Sequence, residues 1–354
     1  MKWKPDWEQT KEHFVKWWDR KGLLAQVFAP ADKPVADIAK PAEPADMLVR
    51  WLDPKYRRAK AEYEMSRTFY GGDAFPYFDT YTGPGGLGTF LGANPNFVAE
   101  TVWYNPCIAD PDTFGPINFD PGAKWFKAQM AIIEEGVRNA AGRYLVGVPD
   151  LIEGMDTLAA MRDTEPLLVD CIERPSWVRQ RLEEITQAYF DAFDAIFAKV
   201  KDADGGNAFS AFQIWGPGRT AKLQCDICCM LSPAMFAKFV APFLKAQCDW
   251  LDYSMFHFDG TTAMQHLDAL LAVDSLDAIQ WTPQAGKPSP GNREWFGLYK
   301  RIRAGGKGVQ AHSVKLEEIR PLLDAVGPEG MFITVRAKDQ REAEKALEII
   351  ARYR

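Results

Sequence analysis

Eight short apolar runs recur along the chain, and a helical pattern follows nearly every one. They begin at Leu23 ("LLAQVFA"), Ala74 ("AFPYFDTY"), Tyr144 ("YLVGVPD"), Phe209 ("FSAFQIWG"), Tyr253 ("YSMFHFDG"), Asp277 ("DAIQWTP"), Gly308 ("GVQAHSV") and Gly330 ("GMFITVRA"). Apolar runs this short are strand-length, and those rich in aromatic and branched residues favour a sheet. The longest helical stretch, "DTEPLLVDCIERPSWVRQRLEEITQAYFDAFDAIFAKV", is expected to divide at Pro175, because proline breaks a helix interior. In "SPAMFAKFVAPFLKAQCDWLD", Phe236, Phe239, Phe243 and Leu244 fall at helical spacing. Strands alternating with helices predict an α/β chain: a single (β/α)8 TIM barrel domain over residues 1–354, with 1–22 as an N-terminal helical extension. An open nucleotide-binding sheet is disfavoured, since no strand-to-helix turn carries either glycine fingerprint. The glycine-rich "GPGGLG", Gly83 to Gly88, lacks both spacings and is expected as a flexible loop over the barrel mouth.

Charge and hydropathy narrow the partners. A net charge of −6 leaves no basic footprint for nucleic acid. No apolar run approaches the roughly 20 residues that span a bilayer, and the charged amino terminus has no secretory h-region. A cytoplasmic protein that avoids nucleic acid and membrane is the expectation. Its six cysteines are expected as thiols, and "CDICC" holds one CxxC without the second pair a zinc knuckle needs.

Catalytic groups of such barrels stand at the carboxyl ends of strands. Here those ends carry Asp79, then Asp150 with Glu153, Trp215, His257 with Asp259, Gln280 and Trp281, His312 and Arg336. Period two sets His257 and Asp259 on one side of their strand. With His312 they form a two-histidine, one-carboxylate set able to hold a divalent metal. The competing reading makes Asp259 a cap for the helix near Thr261. His266 falls on a helical pattern and is expected at the surface. Asp79, Asp150 and Arg336 are the candidate catalytic residues, Arg336 as a clamp for an anionic group. Trp103, Tyr104, Trp215, Gln280 and Trp281 are candidate substrate contacts.

Taken together, these strings resemble the uroporphyrinogen decarboxylase superfamily. That group comprises the decarboxylase and the zinc-dependent methyltransferases that serve corrinoid proteins and coenzyme M. The resemblance spans most of the chain, through "FPYFDTYTGPG", "GVPDLIEGMDTLAAM", "QIWGPG", "LSPAMFAKFVAP", "FHFDG" and "GMFITV". It implies a TIM barrel with its pocket at the carboxyl mouth. In the decarboxylase an aspartate after the second strand grips pyrrole nitrogens, and Asp79 resembles it. The decarboxylase's arginine-rich segment is matched here by "AQVFAPAD", which has no arginine, and Arg336 stands near the place of its last-strand histidine. The methyltransferases hold zinc through a His-x-Cys after the fifth strand and a cysteine after the last. His257 and Asp259 keep that spacing with an aspartate in the thiolate's place, and "FITVRA" has no cysteine.

The resemblance therefore implies a metal-assisted methyltransferase of the corrinoid-linked type. A divalent metal such as zinc would sit at His257, Asp259 and His312, and a partner protein would carry the corrinoid. Asp79 would orient a small-molecule substrate, and Arg336 would hold its anionic part. The alternatives are a metal-free decarboxylase or lyase, glycoside hydrolysis by Asp79 and Asp150, and a ligand-binding barrel without catalysis.

Overall fold

The computed structural model describes residues 1–354. Thirteen strands form in chain order: β1 (Leu23–Pro30), β2 (Thr68–Gly72), β3 (Tyr77–Phe78), β4 (Asn94–Phe97), β5 (Val102–Asn105), β6 (Leu145–Val146), β7 (Asn207–Phe209), β8 (Ile214–Gly216), β9 (Thr220–Gln224), β10 (Tyr253–Asp259), β11 (Ala278–Thr282), β12 (Gly308–Ala311) and β13 (Met331–Arg336). Seven of them make one sheet in the order β2-β1-β13-β12-β11-β10-β9. Every pairing in it is parallel except β1 with β2. Shorter links carry the wall onward. The Asn207 side chain bonds the backbone of Thr220 twice, Val148 bridges Phe209, and β6 pairs in parallel with β3. Asp73 then closes on β1, donating its N–H to Ala25 O and accepting the Ala25 N–H at 2.8 Å. The result is an α/β barrel in which hydrogen-bonded ladders do not run the full circuit. Seven of the eight residues of β1 are buried, as a strand packed on both faces requires. No helix is long and apolar enough to cross a membrane.

The amino-terminal end of the barrel is stoppered by aromatic rings. In α1 (Trp7–Trp18), Trp17 Nε1 donates to Gly330 O at 3.1 Å and Trp18 Nε1 to Trp215 O at 2.9 Å. Trp7 and Phe14 also pack on Trp215. A Cβ on Gly308, at the start of β12, would lie 3.3 Å from Ala278 Cβ and 3.4 Å from the Trp17 ring, so the helix packs directly on this strand. Trp215 is thus a core residue at the end remote from the mouth, not a substrate contact. Its Nε1 donates to Asp202.

The expected strand "FSAFQIWG" is a hairpin instead. β7 and β8 pair antiparallel around Ser210–Gln213, where Phe212 and Gln213 both have positive φ (58° and 57°). Left-handed backbone costs about 1–2 kcal/mol per non-glycine residue, so the surroundings must hold it. They do so by hydrogen bonds. Gln26 Nε2 donates to Gln213 O at 2.9 Å, Gln310 Nε2 to Phe212 O at 3.0 Å, and Tyr77 Oη to Ser210 O at 2.8 Å. Gln26 and Gln310 are wholly buried strand residues, and a backbone turn inside a barrel explains polar groups there. The true neighbour of β10 is β9, "TAKLQ", whose lysine and glutamine conceal it among apolar runs.

Three further expectations change. The Gly83–Gly88 segment is no free loop: Gly86–Phe90 is a buried helical turn whose Leu87 N–H donates to Leu151 O. His266 is buried rather than exposed, stacked on Phe236 at 4.4 Å with Nε2 2.9 Å from Cys228 O. Trp281 is fully buried on the outer face of β11 against Phe258 and Trp295. Period two forbids it from facing the lumen alongside Gln280. The division at Pro175 is as expected, between helices Thr164–Glu173 and Pro175–Val200.

Candidate functional site

At the carboxyl ends of the strands lies a cavity of about 520 Å³ whose lining includes Asp79, Asp150, His257, His312 and Arg336. Five residues anticipated at separate strand ends therefore share one hollow. Gln280 stands behind His257, fully buried, and Trp103 and Tyr104 line an adjoining cavity.

The register of β9 and β10 builds the centre. Gln224 pairs with His257, so two residues further Asp226 comes beside Asp259. Ligand atoms of Asp226, His257 and Asp259 all lie within 4.8 Å of one another. His312 is not in that group; Asp226, which the sequence pattern did not single out, takes the third place. Asp226 is fixed from below by Asp156, whose carboxylate accepts the N–H groups of Asp226 at 2.7 Å and Ile227 at 3.0 Å. Asp259 caps nothing, since the turn beginning at Thr261 has no side-chain cap.

Each imidazole is oriented by its neighbours. Gln280 gives its Nε2 to Thr282 Oγ1 at 2.8 Å, so its Oε1 is the acceptor for His257 Nδ1–H. That hydrogen bond leaves the Nε2 lone pair of His257 free to bind a metal. Burial and the Lys222 ammonium lower the His257 pKa, favouring that neutral form. His312 Nδ1 lies 3.0 Å from Thr334 Oγ1, which already accepts the Ser313 N–H. Burial, Arg336 and His257 push the His312 pKa down to about 4, so it is neutral at physiological pH. Phe212, delivered by the strained hairpin, sits 4.8 Å from the His257 ring and 5.6 Å from that of His312.

The cation that lines the cavity and the one buried behind its wall are unequal. Arg336 lies 5.4 Å over the Phe28 ring and forms no salt bridge, so its fork faces the hollow uncommitted. Lys222 is wholly buried, with Nζ 2.7 Å from Asp150 Oδ2 and bonded also to Gln224 Oε1. The other oxygen of Asp150, Oδ1, is buried without a partner. Asp79 accepts the Tyr81 N–H at 2.9 Å, a turn carboxylate that also lines the cavity.

Glu153 is the most perturbed acid. Burial pushes its pKa up to about 8 against the pull of Lys222 and the Gln224 N–H. Between its ordinary value and about 8 the folded chain holds the proton more tightly than the unfolded chain, so this group's contribution falls as pH rises through that window. Glu153→Gln removes the titration while keeping the acceptor for Gln224. Its stability advantage over the native protein in urea unfolding is expected to grow from about pH 5 to pH 8, to at least ~1 kcal/mol, and then level off. An advantage that did not change with pH would contradict this.

No family model and no curated protein matches the sequence. The structure, however, is similar to a methyltransferase from Methanosarcina mazei, with a TM-score of 0.62 at 10% identity over 97% of this chain and 98% of that one. The chain shares the fold of that methyltransferase. A B12-independent methionine synthase from Shewanella sp. W3-18-1, solved with selenomethionine, matches over 93% of this chain and 97% of its own at 11% identity, with a TM-score of 0.44. Among the sequence strings, "FPYFDTYTGPG", "GVPDLIEGMDTLAAM" and "FHFDG" supply residues of the cavity lining.

Proposed function

We propose that the barrel mouth is the active site of a methyl-transferring enzyme that holds a divalent cation through Asp226, His257 and Asp259. The observation that carries this is the convergence of three donors, one of them oriented by Gln280 and two of them lining the cavity faced by an unpaired Arg336. One imidazole and two carboxylates, without a thiolate, suit zinc, manganese or cobalt ions better than a softer centre. Burial and the neighbouring Asp259 both raise the Asp226 pKa, and a cation between the two carboxylates relieves that repulsion. When bound, such an ion acts as a Lewis acid toward a substrate or acceptor atom.

The remaining work falls to the chain itself. Arg336 holds an anionic part of the substrate in bidentate fashion. Lys222 pairs with Asp150 Oδ2, and Asp150 Oδ1 is left to accept a hydrogen bond from the substrate. Neutral His312 orients a polar substrate atom without adding charge. Asp79 borders the substrate on the β3 side. The methyl donor in this reading is a corrinoid, free or carried by a partner protein.

Metal analysis by plasma mass spectrometry, together with loss of methylcobalamin absorbance in the presence of a thiol acceptor, tests the reading. About one metal ion per chain and metal-dependent demethylation are expected. Chelated, metal-free protein that is equally active would sink the metal. Conversion of uroporphyrinogen to coproporphyrinogen by that metal-free protein would replace methyl transfer with decarboxylation.

A further inference from the structure

The hollow at the mouth continues past Asp226. A second cavity of about 560 Å³ shares Pro84, Ile152, Gln224 and Asp226 with the first, and its remaining walls differ in kind. Trp103 on β5 and Met230 on the turn after β9 both line it, although they are 65% and 52% exposed. Large apolar side chains held in water are common singly, but two facing one concave space are a recognition feature.

The chamber is a built one. Gly83 and Gly85 both have positive φ, and a Cβ on them would meet Val102 at 2.5 Å and the Tyr104 ring at 3.4 Å. The glycine turn therefore lies flat against the β4–β5 hairpin and fixes its place. Tyr104 Oη is buried there without a hydrogen-bond partner. Burial raises its pKa, so the phenol remains a donor. Across from it, Ala159 and Ala160 supply a floor of small side chains.

We propose that this second chamber binds a planar, apolar group, an aryl ring or its equivalent, belonging to the ligand whose polar end occupies the first chamber. Trp103 and Met230 cover its faces, and Tyr104 Oη donates to a heteroatom at its edge. The bond joining the two parts then crosses Asp226, beside His257 and Asp259. This deepens the proposed active site by naming the substrate class, and for the polar end it rests on that reading.

Calorimetric titration with phenylacetate, 3-phenylpropionate and 4-phenylbutyrate, beside acetate and propionate, tests it. At least one aryl acid is expected to bind the native protein about tenfold or more tighter than the alkyl acids. Trp103→Ala, which removes an exposed ring and leaves the core intact, and Ala159→Phe, which fills the chamber, are each expected to abolish that advantage. An aryl series no tighter than the alkyl acids, or an advantage that survives both variants, overturns the proposal. Arg336→Met separates the two readings. If it leaves all acids unaffected while the aryl advantage still depends on Trp103, the anion clamp fails and the aryl chamber stands.

Discussion

Lys222→Met is expected to destabilise the fold by about 3–5 kcal/mol at pH 8, the cost of removing one partner from a buried ion pair. The methionine keeps the length and apolar stem of the side chain, so the loss isolates the charge. Lys222 is wholly buried, pairs with Asp150 at 2.7 Å, and is the cation that counteracts the burial of Glu153 and Asp226. Without it, three acids remain near one another in a desolvated wall. The folded pKa values of Glu153 and Asp226 then stand still further above the unfolded ones, and stability falls as pH rises. The gap between native and variant proteins is therefore expected to widen from about pH 5 to pH 8 in urea unfolding. Lys222→Met with Asp150→Asn is expected to recover more than half of the loss, because no uncompensated charge is left at that pair. Equal urea midpoints for native protein and Lys222→Met at pH 8 would refute the account.

Lys222 also shows why the sequence revealed the barrel better than its centre. Strands packed on both faces read as continuous apolar runs, and β1, β10 and β13 do so. β9 does not, because Lys222 and Gln224 turn into a lumen that holds acids and a backbone turn. The residues that make it functional erased its apolar signature. With β9 hidden, Asp226 had no strand end to mark it. The neighbouring "FSAFQIWG" looked more strand-like because its apolar residues stopper the barrel from within. A signal did exist: "QCD" in "TAKLQCDICC" has the same polar ending two residues apart as "HFD" in β10. Helix boundaries at Pro175 and Ser232 were legible because they rest on local chemistry; Ser232 caps its helix by accepting the Met235 N–H. Trp281 and His266 were misplaced for the opposite reason, since which face an aromatic or imidazole ring takes depends on tertiary register.

His257→Ala is expected to weaken binding of a divalent cation on the order of 10³-fold or more, since it removes the only nitrogen donor of a three-residue set. Zinc and manganese titrations by calorimetry measure it directly. Two further variants distinguish a metal centre from a mere acidic cluster. Gln280→Leu leaves all three donors in place but frees the His257 ring to turn, because the hydrogen bond to Nδ1 is gone. Losing such an orienting partner costs about 10–100-fold in metal affinity, and that range is expected here. His312→Ala removes a histidine that the sequence pattern had grouped with His257. In the fold His312 bonds Thr334 and faces Phe212, so metal affinity is expected to stay within about twofold of the native value. Equal losses in His257→Ala and His312→Ala would restore the two-histidine set and displace Asp226 from it. A cluster that bound cations by charge alone would respond to Asp226→Asn and Asp259→Asn but ignore Gln280→Leu, and that pattern would remove the oriented imidazole from the site.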